Sequence, residues 1–296
     1  MKKTLLLTGA DGFLGTHLTR TFAGEGWAVH GLVRNPQAKR LPAELSGCFD
    51  YSLAAGPSAE AMELRPDVVI HAAFQTRGAA AEGDGDVNLR AVELLVEWFA
   101  RQQGAFLVFI SSMSAHDGAY SSYGRNKRRI ERALDLHTAL AVRPGFVIGP
   151  GGIFQRLART LSKTRIAPMP YGGGLPIQTA DVAELCRALV QLSEARTTGL
   201  YSFGEETPVP VREFYAAIAA WMGRTLTLVP VPGAPLLPLV RIVESMGLPL
   251  PLTTENLLGL KGLVYQPTGP MIEKLGWRPS AVFEILKRYD SRIVLG

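Results

Sequence analysis

Tyr123 and Lys127 stand four residues apart in the stretch Tyr123-Gly124-Arg125-Asn126-Lys127, a spacing that puts a phenol and an ammonium on one face if the segment is helical. The pair has a use in proton transfer. A tyrosine ordinarily titrates at about pH 10, and cations beside it lower that value toward neutrality, which makes the phenol a general acid or base. Upstream, Ser111-Ser112 closes an apolar run. A hydroxyl such as that of Ser112 can hydrogen-bond a substrate oxygen and hold a carbonyl in line for reaction. Tyr-x-x-x-Lys pairs also arise by chance on solvated helix faces, so the elements that carry this pair decide its meaning.

Those elements begin at residue 4. Thr4-Leu5-Leu6-Leu7-Thr8 is a short apolar run, Gly9, Gly12 and Gly15 recur at every third position, and Leu14, Leu18 and Phe22 follow at helical spacing. The stretch reads as strand, glycine turn, helix. The start of such a helix offers unpaired backbone N–H groups and the positive end of the dipole, and glycines let the backbone approach a pyrophosphate. Gly9, Asp11, Gly12, Phe13, Leu14 and Gly15 are therefore candidates to cradle a dinucleotide, with a ligand-free tight turn as the alternative. The spacing is G-x-x-G-x-x-G, not the G-x-G-x-x-G of the commoner fingerprint. Ala28 to Val33 reads as a second strand that ends at Arg34, where the adenosine ribose of a dinucleotide would lie. An acid there suits a 2′-hydroxyl and an arginine suits a 2′-phosphate. With Asn35, Lys39 and Arg40 close behind, the position favours NADP over NAD, unless Arg34 stacks on adenine or faces solvent.

Asp67 to Ala73 is a β-branched run ending in small residues. His71 reads as packed beside the cofactor through its ring and backbone and not as a catalytic base, with Ala72 and Ala73 beneath the cofactor. Val87, Ala91, Leu94, Leu95, Trp98 and Phe99 follow a helical period, and Ala105 to Ile110 is the most strand-like run in the chain. It delivers Ser112 to its carboxyl end. Strands alternating with helices in this way predict an α/β fold with a doubly wound, Rossmann-type parallel sheet and chemistry along its C-terminal edge.

The 296 residues suffice for a large domain with a smaller partner: a dinucleotide-binding domain over 1–150, to which later segments return, and a substrate-binding lobe over 151–296. Cys48 and Cys186 are the two cysteines, far apart, so neither a disulfide framework nor a metal site is expected and a reducing cytoplasm is the simplest home. No apolar run is long enough to span a membrane. The net charge of +5 suits an anionic ligand such as a nucleotide. The basic residues are scattered, and the densest cluster, Arg125 to Arg132, fits a helix with a solvated outer face, so no nucleic-acid partner is expected.

Together these stretches resemble the extended branch of the short-chain dehydrogenase/reductase superfamily, the NAD-dependent epimerase/dehydratase family. The resemblance rests on Thr8 to Gly15, Asp67 to Ala73, Val87-Asn88-Leu89, Ile110-Ser111-Ser112, Tyr123 to Lys127 with Glu131, Val142 to Gly151 and Ala180-Asp181-Val182-Ala183, in the family's order. It implies that Ser112, Tyr123 and Lys127 form the catalytic trio and that Lys127 also holds the nicotinamide ribose. It further implies that Asn88 lies near the cofactor and that Pro144 and Phe146 back the nicotinamide. A homodimer is a family expectation, against which the crowded Arg128, Arg129 and Arg132 weigh. Sugar-nucleotide dehydratases carry an Asp-Glu pair directly after the catalytic Ser or Thr, where this chain has Met113-Ser114, so dehydration is disfavoured.

From Ile153 onward the alternation fades. Asp181 reads as the N-cap of a helix through Val182, Leu185 and Leu189, Val211 to Trp221 as another helix stopped by Gly223, and Leu275 to Leu286 as a closing turn and helix. Gln178, Tyr171, Arg156, Tyr265 and Arg278 could face a substrate or be satisfied packing residues. The reading that follows is an NAD(P)-dependent oxidoreductase or epimerase transferring hydride at a secondary alcohol or ketone of a small molecule, by resemblance a nucleotide-linked sugar. The alternatives are an NADPH-dependent reductase of a small carbonyl compound and a non-catalytic dinucleotide sensor or assembly factor.

Overall fold

The computed structural model describes residues 2–38, 40–75, 86–99, 104–246 and 253–295. The chain runs β1 (Thr4–Thr8), α1 (Phe13–Gly24), β2 (Ala28–Val33), β3 (Gly47–Ser52), β4 (Gly56–Pro57), α2 (Ala59–Met62), β5 (Val68–His71), α3 (Val87–Phe99), β6 (Phe106–Ile110), α4 (Ser122–Ala133) and β7 (Ala139–Pro144). It continues through β8 (Phe146–Ile148), α5 (Gly152–Ser162), β9 (Ile166–Pro170), a 3-10 turn (Tyr171–Gly173), β10 (Pro176–Ile177), β11 (Thr179–Asp181), α6 (Val182–Glu194) and β12 (Gly199–Phe203). The last elements are β13 (Val209–Pro210), α7 (Val211–Trp221), β14 (Thr227–Val231), α8 (Gly233–Ser245), α9 (Thr254–Lys261), α10 (Gly269–Leu275), α11 (Val282–Lys287) and α12 (Ser291–Leu295). Two compact units result. The first comprises Met1–Ser112, Asn126–Arg143 and Val182–Tyr201, and the second Met113–Arg125, Pro144–Asp181 and Ser202–Gly296.

Unit one is built on an eight-stranded sheet in the order β12-β7-β6-β5-β1-β2-β3-β4. The pairs β1–β2, β1–β5, β5–β6, β6–β7 and β2–β3 are parallel, and β4 turns back antiparallel on β3. This is the doubly wound α/β sheet. The order in which successive strands are laid down reverses at β1, and such a switch point opens a crevice at the carboxyl ends of the strands. Leu5, Leu6 and Leu7 are fully buried, as a strand covered on both faces requires. On one face Leu6, Leu32, Val69, Leu107 and Phe109 meet Leu95, Trp98 and Ile130 from the helices. Each such side chain contributes about 1.5–3 kcal/mol by leaving water. On the other, α1 packs on α6.

Unit two holds three two-stranded ribbons, β8–β11 and β9–β14 parallel and β10–β13 antiparallel. Phe154 of α5, Phe214 and Ile218 of α7, and Ile285 and Leu286 of α11 gather in one apolar cluster. The expected helix at Val211 to Trp221 is α7, and Gly223 follows it at φ +64°, which suits a glycine stop. The expected closing turn falls at Gly276, in the left-handed region at φ +72° between α10 and α11. Among the described residues no helix is long and apolar enough to cross a membrane.

Candidate active site

The glycine turn is closely packed along its backbone. Gly9 sits at φ +70°, donates its N–H to Leu32 O at 2.9 Å, and accepts from Gly12 N at 2.9 Å. A Cβ on Gly9 would lie 3.0 Å from the Cα and N of Ala73, and one on Gly15 would overlap the Gly9 carbonyl. The first turn of α1 is thus pressed against the end of β1. Its N-cap, Gly12, provides no side-chain hydrogen bond, so no side chain blocks the N–H groups that follow. Asp11 is exposed, Phe13 and Leu14 are half-buried, and Arg34 is exposed just past β2. Lys39 lies outside the described residues. A Cβ-free cradle, an uncapped helix start and an exposed arginine beyond the second strand fit a nicotinamide dinucleotide.

Thr8 organises the next strand end. Its Oγ1 accepts from the N–H groups of Ala72 and Ala73, both at 3.1 Å, which leaves its proton to donate to His71 Nδ1 at 2.8 Å. The neutral imidazole then carries its own proton on Nε2, which is buried and has no hydrogen-bond partner among the described residues. Burial, helped by the charge of Lys127, pushes the His71 pKa down to about 3. The ring stacks on that of Phe109, centroids 6.0 Å apart.

Asn88 is buried on α3 and bonds both backbone and the carboxylate of Asp86, to whose Oδ1 its Nδ2 donates at 3.3 Å. Its Oδ1 accepts from Gln75 N at 2.7 Å and its Nδ2 donates to Gln75 O at 3.2 Å, which pins the segment leaving β5. Pro144 is buried at the end of β7, and Phe146 in β8 sets its ring edge-on to Phe214, centroids 5.2 Å apart. Gln178 is buried with its amide fully engaged, donating to Glu205 O and Gln266 O at 3.0 Å and accepting from Gln266 N at 2.8 Å. Its role is to fasten the chain. Asp181 precedes α6, where its carboxylate accepts from Tyr289 Oη at 3.0 Å.

Helix α4 carries Tyr123 one turn before Lys127 and Lys127 one turn before Glu131. Tyr123 and Ser112 are half-buried. Lys127 is 3% exposed, donates from Nζ to Ile110 O at 2.6 Å, and lies 4.2 Å from the Phe74 ring centroid and 4.7 Å from that of Phe109. Burial lowers its pKa to about 7, against the opposing pull of Glu131. Glu131 itself accepts from Ser111 Oγ at 2.5 Å and from Arg143 through Nε at 2.7 Å and Nη2 at 2.6 Å. In the sequence Glu131 stands out only through the family resemblance, and Arg143 only as a member of the stretch from Val142 to Gly151. The signal for Glu131 is nevertheless visible, because Tyr123, Lys127 and Glu131 recur every four residues along one helix stripe.

A family model described as the RmlD substrate binding domain matches residues 1–234. A ceramide reductase of Caulobacter vibrioides is 33% identical over 214 residues, covering 65% of this chain and 65% of the reductase, so the chain spans just under two thirds of that relative's length. The methionine adenosyltransferase 2 subunit beta of Xenopus tropicalis is 26% identical over 242 residues, covering 72% of this chain and 70% of the subunit. The fold is shared with the UDP-glucose 4-epimerase of Thermus thermophilus, solved in complex with NAD, at a TM-score of 0.71 over 99% of each chain and 21% identity.

Proposed function

Because the chain belongs to the RmlD substrate binding domain family, we propose that it is an enzyme of the extended short-chain dehydrogenase/reductase type, an NAD(P)-dependent oxidoreductase or epimerase. Its reaction is hydride transfer at a secondary alcohol or ketone. The observation that carries this reading is the buried ammonium of Lys127, fixed on the Ile110 carbonyl one helical turn from Tyr123. Burying an ammonium is costly even when it is hydrogen-bonded, so a fold that holds one there has a use for its charge. Here the task is to lower the pKa of the Tyr123 phenol.

A bound nicotinamide dinucleotide supplies or takes up the hydride. Its pyrophosphate would rest on Gly9, Gly12 and Gly15 at the start of α1, and its 2′-phosphate on Arg34, so NADP is preferred to NAD. Tyr123 gives the proton to the substrate oxygen on reduction and removes it on oxidation. Ser112 donates a hydrogen bond to that oxygen and holds the carbonyl carbon in line. Residues 1–150, to which later segments return, would carry the dinucleotide site, and the smaller lobe over 151–296 would recognise the substrate.

The substrate class is a nucleotide-linked sugar, a reading supported by the shared fold of the UDP-glucose 4-epimerase. A second reading, net reduction of an apolar ketone, is favoured by the 33% identity to a ceramide reductase and by the exposed Leu239, Ile242 and Met246 on or just after α8. Fluorescence titration with NADPH and NADH tests the cofactor: Arg34→Ala should erase the preference for NADPH and Tyr123→Phe should still bind. Failure of both nucleotides to bind protein purified without retained cofactor would overturn the proposal. Nucleotide sugars and long-chain ketones then separate the two substrate readings, since an epimerase leaves the NADPH concentration unchanged and a reductase consumes it.

A further inference from the structure

We propose that Glu255 is a positioning residue for Tyr123: a carboxylate on α9 that receives the N–H and hydroxyl of Ser122 at the start of α4 and so fixes the turn on which the phenol stands. That role rests on the reading of Tyr123 as the group that moves the proton, and it adds what holds that group in place.

Tyr123 stands in the least self-sufficient part of its helix. The first four N–H groups of an α-helix have no partner within it, so the opening turn is held by whatever accepts from them. In α4 the hydroxyl oxygen of Ser121 accepts from the N–H of Gly124 at 3.1 Å, which closes the turn from within the same segment. The N–H of Ser122 reaches further. It donates to Glu255 Oε2 at 3.0 Å, and the Ser122 hydroxyl donates to the same oxygen at 2.9 Å. Both bonds are made by the residue next to Tyr123, and a carboxylate there suits the positive end of the helix dipole.

Glu255 is exposed, so it acts by direction and not by burial. Its own turn is anchored. Thr253 Oγ1 accepts from Asn256 N at 3.2 Å and Asn256 Oδ1 from Thr253 N at 3.1 Å, Glu244 of α8 accepts from Thr254 N at 3.0 Å, and Leu257 is fully buried. Beyond Glu255 the same segment fastens the loop that leads into α4. His116 Nε2 donates to Gly262 O at 2.8 Å, and Lys261 Nζ lies 4.2 Å from the ring centroid of Tyr120. Residues 116–122 are thus laid along 255–262, both within unit two, and Glu255 holds the end from which the phenol departs. A displacement of about 1 Å in a reacting group can cost on the order of a hundredfold in rate, so a contact one residue away bears on the reaction.

The test is NMR of the full chain with tyrosine labelled at Cζ, the Tyr123 signal assigned by its loss in Tyr123→Phe, together with amide hydrogen exchange at Ser122. Wild type is compared with Glu255→Ala and Glu255→Gln. In Glu255→Ala the Ser122 amide should exchange about tenfold faster, as loss of a hydrogen bond to a charged acceptor implies, and the Tyr123 signal should leave its wild-type position. The melting temperature, set by the core, should move by less than about 2 °C. Glu255→Gln keeps an acceptor oxygen of the same reach and should bring the Tyr123 signal most of the way back. If Glu255→Ala does not fold, Glu255→Leu, which keeps the stem without an acceptor, carries the same expectation, and failure of both to fold overturns the proposal in favour of a purely structural role. It is also overturned by a Ser122 amide that does not respond, by a Tyr123 signal that stays in place while the amide does respond, or by a displaced signal that Glu255→Gln fails to restore. Failure of the underlying reading looks different: the Tyr123 signal responds as expected, but neither NADPH nor NADH binds the wild-type protein.

Discussion

Glu131 and Glu205 are each 2% exposed, yet the fold treats them in opposite ways. Glu131 meets positive charge, with Arg143 gripping both oxygens and Arg128 at 3.4 Å. Glu205 meets neutral donors, the N–H and hydroxyl of Thr179 at 2.8 Å each and the N–H of Val282 at 3.2 Å. Burial raises its pKa, with those hydrogen bonds pulling the other way. The difference teaches what a buried acid is for. Gripped by guanidinium, a carboxylate has its charge compensated in an ion pair that ties α4 to β7; fastened by neutral N–H and O–H groups, it serves as a clasp, here joining β11 to the start of α11.

The contrast is broken most readily at Arg143. Arg143→Met leaves Glu131 buried without its principal partner, and stability in urea or thermal unfolding should fall by about 3–5 kcal/mol. A loss below about 1 kcal/mol would put this pair in the class of exposed ones and dissolve the comparison. On the other side, Glu205→Ala strands the N–H groups of Thr179 and Val282 and should cost about 1–3 kcal/mol in the same measurement. Glu205→Gln sharpens the point through pH. Because the folded protein holds the Glu205 proton more tightly than the unfolded chain, ionisation of Glu205 removes stability as pH rises from about 4.5 through the folded value, and the loss is complete above it. The glutamine variant should lack that component, so its unfolding free energy should change less than that of wild type between acidic and neutral pH. Smallest of all is Arg278→Ala. The Arg278–Glu206 pair is 2.7 Å apart but 73% and 46% exposed, so its removal should shift stability by about 0–1 kcal/mol, and added salt should erase even that.

The parts of the site written in local spacing are legible from the sequence. A glycine at every third residue after an apolar run and a phenol four residues before an ammonium depend only on the geometry of one strand, one turn or one helix. The clamp on Glu131 is not local. Arg143 lies beyond the end of α4 on the following strand, and nothing in its neighbours says that it points back. Asn88 illustrates a different limit, since a motif can put it near a cofactor site without revealing that its amide is already spent on Gln75 and Asp86. Among the elements, β3 is illegible because Gly47 to Ser52 neither alternates nor forms an apolar block; it pairs on one side with β2, and Asp50 remains exposed. Pro168, Pro170 and Pro230 argue against strands, yet β9 and β14 pair, because a two-stranded ribbon has outer edges where a missing N–H is harmless.

The interleaving of the two units bears on how the protein is made. Val182–Tyr201 supplies α6, against which α1 packs, and most of β12, the strand that borders β7, although Pro144–Asp181 of unit two is synthesised before it. On a ribosome, the first sheet must wait with β7 lacking its neighbour and α1 lacking its cover. At about 5–20 residues per second the stretch from 144 to 201 takes on the order of 3–12 s. During that interval the face of α1 that α6 covers in the finished molecule is a nascent surface that a chaperone could recognise.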